Sequence, residues 1–331
     1  MKTVVTGGAG FIGSHLVKRL VDAGRRVVVA SDFWRLGTEN LSDLGIKPSD
    51  LEPGSWGIST DLTDYNQALK VMEGAETVFH LAARVGGIQY LHSTEMAELE
   101  ALQTNLVIDA NVFKACLKSK VRKLVYASSV SVYPIDLQQS PNVTFAEDDL
   151  HYFAPDGGYG WAKLMGEIQL GWIRQIDVGI ARIFTIYGEN QPLGEKAHVV
   201  TDLIRKAILY PQEEFIVWGD GEQSRDFLYV SDCVEALLRL ESRASNPPVI
   251  VNIGSGKPVS IRTIAEKVIA LSGKDIKIAY DPTKPVGPLS RTADITKAKA
   301  ILNWQPKVSL DEGLRYTYSW TKRKLEGQKF P

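Results

Sequence analysis

The chain has 331 residues and a formal net charge of -1; 44% of the residues are hydrophobic and 23% are charged, as in ordinary globular proteins. The balanced charge and the lack of any Lys/Arg-rich block argue against nucleic acid or a membrane surface as a partner. No run approaches the ~18 apolar residues of a membrane span, and Cys116 and Cys233 are too far apart for a zinc or redox motif. We therefore expect a cytoplasmic protein without a metal site.

The first half of the chain alternates short apolar segments with amphipathic ones. Apolar, β-branched segments typical of buried parallel strands occur at residues 3–6, 26–30, 77–81, 123–127 and 178–184. Helical spacing of apolar residues predicts helices at 13–23, at about 96–118 and at 161–175. This alternation predicts an α/β fold of the Rossmann type, a doubly wound parallel sheet covered by helices on both faces.

After about residue 183 the alternation gives way to loops and shorter elements. Gly, Pro and polar residues are dense at 187–196, in the turn that begins at Trp218, and at 281–289. We predict a Rossmann domain at residues 1–182 with about 224–245. A smaller C-terminal α/β domain, formed by 183–223 and 246–331, would bind the substrate.

A glycine-rich turn joins the first predicted strand to the first predicted helix. Gly7, Gly10 and Gly13 form GxxGxxG, a variant of the fingerprint for dinucleotide binding. Glycines there permit a tight turn and a close approach of the pyrophosphate, which faces the free N–H groups of the helix. We expect Phe11 and Ile12, within the same turn, to contact the cofactor as well.

Acidic residues follow the second predicted strand. Asp32 is placed to accept hydrogen bonds from the adenosine ribose and to repel a 2′-phosphate, which favours NAD over NADP. Arg35 is near enough to reach a phosphate, although a solvated loop arginine is the simpler interpretation. Asp61 and Leu62 are further candidates for contact with the adenine.

Tyr159 and Lys163 form a YxxxK pair at the start of the helix predicted at 161–175. A spacing of four places both side chains on one helical face. A free tyrosine has a pKa near 10, so moving it toward 7 requires about 4 kcal/mol of stabilisation of the phenolate. Lys163 and a nicotinamide ring could supply this together in a water-poor site. Alone, the pair is equally typical of an amphipathic helix surface.

Several motifs occur in one characteristic order: TGGAGFIGSH, Asp32, Asp61-Leu62, His80-Leu81-Ala82-Ala83, Asn105, Ser128-Ser129 and YGWAK. Later in the chain follow Arg182, the WGDG turn with Arg225-Asp226-Phe227, and Arg291. From Lys2 to about Leu325 the chain thus resembles the extended short-chain dehydrogenase/reductase family, specifically its nucleotide-sugar epimerases and dehydratases.

The resemblance implies a catalytic set that uses NAD and consists of Ser129, Ser131, Tyr159 and Lys163. Tyr159 would be the base that takes a hydroxyl proton from the sugar, and Ser129 would hydrogen-bond the same oxygen. Lys163 would hold the nicotinamide ribose and lower the pKa of Tyr159. Further contacts with NAD would come from Leu81, Ala82, Ala83 and Asn105.

The resemblance also implies contacts with the sugar nucleotide. Arg225 and Arg291 would clamp its diphosphate with their forked donors. The other residues that we expect to bind substrate are Gly86, Gly87, Ser129, His198 and Trp218. Structural alternatives remain: Ser128, Ser129 and Ser131 could satisfy backbone groups at a strand end, either arginine could form a surface ion pair, and His80 is best explained as a packed histidine.

The segment Ser129–Tyr133 bears on the reaction. In this family the 4,6-dehydratases and decarboxylases carry an acid there, which the dehydratases use to move a proton. This chain has Ser131 and Val132 instead, a pattern that suits a C4 epimerase, which needs only the redox pair and room for the keto sugar to rotate.

A second resemblance favours another branch. Residues 85–88 (VGGI), Tyr133-Pro134 and 218–240 are similar to GDP-mannose 3,5-epimerase and GDP-fucose synthase. Those enzymes have a cysteine where this chain has Ser131, and a serine hydroxyl is a far poorer acid than a thiol. The synthase also uses NADPH, which Asp32 disfavours.

The sequence therefore predicts an NAD-dependent nucleotide-sugar epimerase, an isomerase acting at C4 on a UDP- or GDP-linked sugar. The alternatives, in order, are a 3,5-epimerase, a dehydratase or NAD-consuming dehydrogenase, and a non-catalytic NAD-binding regulator. The predicted helices at 96–118 and 161–175 are apolar enough to form the seam of a homodimer, as the family does.

Overall fold

The computed structural model describes residues 2–32, 37–85, 94–150, 152–194 and 197–327. In chain order the strands are β1 (Lys2–Thr6), β2 (Arg26–Ala30), β3 (Thr77–His80), β4 (Lys123–Ser129), β5 (Thr144–Phe145), β6 (Asp177–Ile183), β7 (Thr185–Tyr187), β8 (Ile216–Trp218), β9 (Ser224–Tyr229), β10 (Val249–Ile253), β11 (Pro258–Ser260), β12 (Ala279–Asp281) and β13 (Thr292–Ala293). The helices are α1 (Phe11–Asp22), α2 (Glu39–Asp43), α3 (Tyr65–Met72), α4 (Glu95–Lys118), α5 (Gly157–Trp172), α6 (Val199–Leu209), α7 (Val230–Arg243), α8 (Ile261–Ser272), α9 (Thr296–Leu302) and α10 (Leu310–Gly327).

A six-stranded parallel sheet in the order β2-β1-β3-β4-β6-β10 confirms the predicted Rossmann fold. The strands are apolar on both faces, as Val4 and Val5 of β1 illustrate, because helices cover the sheet on both sides. In the sheet β2 lies on one side of β1 and β3 on the other, so the direction in which strands are added reverses at β1. The carboxyl ends of β1 and β3 therefore border the crevice where such sheets bind ligands.

Helix α5 begins a full turn earlier than the residues 161–175 predicted from the sequence. Gly157 and Gly158, which begin the helix, give no signal for it in the sequence, because glycine is a poor helix former. A Cβ at Gly158 would lie 2.1 Å from the backbone oxygen of Glu98 in α4, so glycine there allows the two helices to approach closely. As a result Tyr159 lies in the first turn of α5 and Lys163 in the second.

Smaller sheets build the second part of the molecule: β11-β9-β7, β12-β8 and β13-β5. The division into two domains remains a prediction. Two strands pair outside the domain in which the sequence places them. Val249–Ile253 pairs with β6 in the large sheet, although it was predicted to lie in the substrate domain. Ser224–Tyr229, predicted as Rossmann, pairs instead with β7 and β11, because only the following helix α7 packs on the large sheet.

No helix within the described residues is both long and apolar enough to cross a bilayer.

Candidate active site

A cavity of about 1510 Å³ lies along the carboxyl edge of the large sheet and continues into the second part of the chain. Pockets for single small ligands measure roughly 300–1,000 Å³, so this one has room for a dinucleotide and a second ligand together. Its walls come from the loops that follow β1, β2, β3 and β4, from the start of α5, and from β8 and the residues after β12.

The glycine-rich turn forms one end of the cavity. Gly7 has φ +67, and a Cβ there would lie 2.9 Å from the backbone nitrogen of Ala82. A Cβ at Gly13 would lie 2.1 Å from the carbonyl oxygen of Gly7. Helix α1 starts at Phe11 without a side-chain cap, so its first N–H groups are left for a ligand. This cradle fits the pyrophosphate of a dinucleotide.

The structure places nearly all the predicted cofactor residues on the cavity wall: Gly7, Gly10, Phe11, Ile12, Gly13, Asp32, Asp61, Leu62, Leu81, Ala82, Ala83, Tyr159 and Lys163. Asn105 differs. It is buried, its Oδ1 accepts a hydrogen bond from the backbone nitrogen of Arg84 at 2.7 Å, and its Nδ2 donates to the carbonyls of Arg84 and Ala101. Asn105 therefore fixes the loop at Arg84, which lines the cavity, rather than lining the cavity itself.

The Tyr159 and Lys163 side chains both line the cavity, near each other. The Nζ atom of Lys163 lies 5.9 Å from the centroid of the Tyr159 ring and 4.6 Å from that of Tyr126. Burial lowers the pKa of Lys163, and the carboxylates of Asp109 and Glu167 oppose this shift. A cation held beside a phenol stabilises the phenolate, so this pair is suited to acid–base chemistry.

Ser128 and Ser129, adjacent at the end of β4, have different surroundings. The Oγ of Ser128 donates to Oε1 of Glu167, and Nη2 of Arg182 donates to Oε2 of the same carboxylate at 2.8 Å. Ser128 thus satisfies a buried carboxylate. Ser129 accepts a hydrogen bond from the backbone nitrogen of Ser131 at 3.1 Å, and its hydroxyl group can still donate toward the cavity.

Two arginines line the far part of the cavity. Arg225 donates to the carbonyl oxygens of Ser224, at 2.7 Å, and Val286, at 3.0 Å. Arg291 forms an ion pair with Asp156 and donates to the side chain of Gln138. Burial and the charge of Arg291 lower the pKa of Arg225 to about 9, which Asp156 opposes. Two partly buried cations beside one carboxylate favour an anionic ligand such as a diphosphate.

Asp156 is a cavity residue that the sequence analysis missed. It immediately precedes α5, and its backbone nitrogen donates to the carbonyl oxygen of Ser131 at 2.9 Å. The only signal in the sequence is an acidic residue three positions before Tyr159, which is common enough at a helix start to be overlooked.

The remaining predicted residues divide into two groups. His198, at the start of α6, Trp218, at the end of β8, and Ser131 line the cavity. Gly86, Gly87 and Arg35 lie outside the described residues.

A model of the NAD dependent epimerase/dehydratase family matches residues 3–254. The chain belongs to this family. It is 33% identical to GDP-mannose 3,5-epimerase 1 of Oryza sativa subsp. japonica, over 99% of this chain and 84% of that protein. It is 32% identical to UDP-N-acetyl-alpha-D-glucosaminuronate decarboxylase of Bacillus cytotoxicus, over 96% of this chain and 97% of that protein.

A solved structure extends the likeness to the whole fold. UDP-glucuronic acid 4-epimerase from Bacillus cereus, in complex with UDP-glucuronic acid and NAD, superposes with a TM-score of 0.83 at 28% identity. The match covers 98% of this chain and 100% of that chain. These findings confirm the predicted family, the fold, NAD as the cofactor and the assignment as a nucleotide-sugar epimerase.

Asp32 should make this family member prefer NAD to NADP. Asp32→Ala should weaken NAD binding about 10–100-fold, because hydrogen bonds to a charged group contribute roughly 1.5–3 kcal/mol, while NADP binding should change little. Calorimetry with both cofactors measures the effect. Asp22→Ala, which removes only an exposed pair with Lys18, is the control. Equally tight binding of NAD and NADP by the unaltered protein would show that Asp32 does not discriminate.

Proposed function

We propose that the enzyme inverts the configuration at C4 of a UDP-linked sugar through a transient 4-keto sugar. The observation that carries this proposal is the side chain at residue 131. Ser131 lines the cavity and provides neither a thiol nor a carboxylate. The neighbouring Val132 is fully buried in the core, so no second acid comes from this segment. An epimerisation that moves only a hydride needs none.

The residues around the cavity supply the steps that C4 epimerisation requires. NAD, when bound, provides the hydride acceptor and donor. Tyr159 would remove the proton from the C4 hydroxyl and return it after the keto sugar has rotated to present its opposite face. Ser129 would hydrogen-bond the same oxygen. Lys163 would stabilise the phenolate through its charge. Arg225 and Arg291 would hold the diphosphate while the keto sugar rotates.

One observation favours 3,5-epimerisation as a second candidate. The chain matches a GDP-mannose 3,5-epimerase at 33% identity over nearly its whole length. Such a reaction needs a base to exchange protons next to the ketone. Asp156, close to Ser131, is a carboxylate on the cavity wall, but it is held in an ion pair with Arg291. It would have to leave that pair to act as a base.

We also propose that the enzyme is a homodimer joined through α4 and α5. These neighbouring helices expose large apolar side chains, among them Met96 (69% exposed), Met165 (42%) and Trp172 (76%). Clustered exposed apolar groups mark surfaces that another protein covers.

Incubation with UDP- and GDP-linked sugars, followed by NMR of the products, tests the function. We expect conversion of a UDP-sugar into its C4 epimer, with no net consumption of NAD. Loss of carboxylate carbon as carbon dioxide, loss of water from the sugar, or stoichiometric formation of NADH would contradict the proposal.

A further inference from the structure

Four buried charged or polar side chains surround Lys163, which is itself only 1% exposed. Asp109 approaches from α4, Tyr126 from β4, His80 from β3, and Glu167 from the next turn of α5. A buried ammonium group is costly unless a negative charge lies nearby. Which of the two carboxylates compensates Lys163 therefore matters for its protonation.

Glu167 is already neutralised by another cation. Arg182 of β6 donates to it through Nε at 3.1 Å and through Nη2 at 2.8 Å, and Ser128 donates a further hydrogen bond. A bidentate arginine–carboxylate pair has almost no net charge, so it exerts little electrostatic effect on a third group. Glu167 therefore contributes little net charge at Lys163.

Among the described residues, the donors that hydrogen-bond Asp109 are neutral. The hydroxyl of Tyr126 donates to Oδ2 at 2.5 Å, and Nε2 of His80 lies 3.0 Å from Oδ1. Since a carboxylate only accepts, the His80 proton is on Nε2, and Nδ1 accepts from the hydroxyl of Thr6 at 2.6 Å. Burial lowers the pKa of His80, which keeps this ring neutral. Asp109 thus keeps its full negative charge.

Tyr126 contacts both Asp109 and Lys163. The ammonium group of Lys163 is 4.6 Å from the Tyr126 ring centroid, where the face of the ring attracts a cation. Gly166 makes room for this arrangement: a Cβ there would lie 2.2 Å from the Tyr126 hydroxyl oxygen and 2.8 Å from Oδ2 of Asp109. The backbone of α5 is thus fitted around the Asp109–Tyr126 pair, one turn after Lys163.

We propose that Asp109 is the counter-charge that keeps Lys163 protonated, and hence a positioning residue for the Tyr159–Lys163 pair. The part that concerns catalysis rests on the proposed function, in which Lys163 acts on Tyr159 as a cation. Burial lowers the pKa of Lys163, and Asp109 opposes it more strongly than Glu167 does. The charge of Lys163 and the hydrogen bonds of Asp109 in turn outweigh burial and keep the pKa of Asp109 low.

The first test titrates Lys163 by NMR of the full chain with isotope-labelled lysine, its signal being assigned with Lys163→Met. In the unaltered protein we expect Lys163 to stay protonated throughout the neutral range. Asp109→Asn, which keeps the shape of the side chain, should lower the pKa of Lys163 by about one to three units, as expected when a nearby opposite charge is removed.

Tyr126→Phe is the matched control, because it removes one hydrogen bond from Asp109 and leaves the charge in place. It should move the lysine titration by clearly less than Asp109→Asn does. An equal shift in both variants, or none in Asp109→Asn, would overturn the proposal. If Asp109→Asn does not fold, loss of the Lys163 proton below about pH 7 in the unaltered protein, well under the usual value, would overturn it as well.

Activity gives an independent readout. Since Lys163 must be charged, the alkaline limb of the kcat/KM profile, which reports the free enzyme as the NMR titration does, should move to lower pH in Asp109→Asn by the same amount as the lysine titration. A uniform loss of kcat without movement of that limb would show a merely structural role. The NMR titration needs no turnover, so a failed function assay and a failed counter-charge are distinguishable.

Discussion

Tyr159→Phe should lower turnover by about 10²–10⁴-fold, the range that a positioned general acid–base group contributes. The variant loses only one hydroxyl group from the first turn of α5, so the fold and NAD binding should stay nearly unchanged. Turnover of the UDP-sugar, NAD affinity and the melting temperature, measured together, separate a chemical loss from a structural one.

Tyr152→Phe is the matched control for this change. Tyr152 is 43% exposed and donates to the carboxylate of Asp136, and it does not line the cavity. Its loss should leave turnover as it was. If Tyr159→Phe keeps activity within a factor of a few of the unaltered enzyme, another residue takes the proton and the assignment of the base is wrong.

Gly13→Ala should weaken NAD binding about 10–100-fold. The added Cβ would lie 2.1 Å from the carbonyl oxygen of Gly7 and 2.8 Å from the Cα of Gly8, so the turn must shift. Overpacking of this kind costs roughly 1–3 kcal/mol, and the shift moves the N–H groups that face the pyrophosphate. Calorimetric titration with NAD measures the loss.

Gly171→Ala is the control for Gly13→Ala, since it makes the same substitution in another helix, α5. A Cβ at Gly171 would meet nothing within 4 Å, and alanine is the better helix former. This variant should bind NAD like the unaltered protein and be slightly more stable. NAD binding by Gly13→Ala that matches the control would mean that the turn does not hold the pyrophosphate as described.

Features that lie close together in the sequence could be predicted, because their spacing fixes their geometry. The glycine spacing of the first turn and the four-residue step from Tyr159 to Lys163 are of this kind. The Rossmann sheet could also be predicted, since buried parallel strands have a distinctive composition. The start of α5 could not, because the contact between Gly158 and Glu98 that permits it is a tertiary one.

Contacts between distant segments could not be predicted from the residues themselves. Asp109 reaches Tyr126 only because α4 packs beside α5 on the sheet, and nothing in its local sequence indicates a buried carboxylate. Asp156 and Arg291 are paired for a similar reason, since the loop after β12 folds back to the start of α5. The hydrogen bond between Ser128 and Glu167 is of the same kind, because these two residues are far apart in the sequence.

The most direct test of C4 epimerisation is to run the reaction in deuterated water and locate deuterium in the product by NMR. With no thiol or carboxylate at Ser131, the hydrogen at C4 should travel only as hydride and return to the same sugar. The product should therefore be the C4 epimer without carbon-bound deuterium. Deuterium at C3 or C5 would contradict this account and establish proton exchange next to the ketone, as in a 3,5-epimerase.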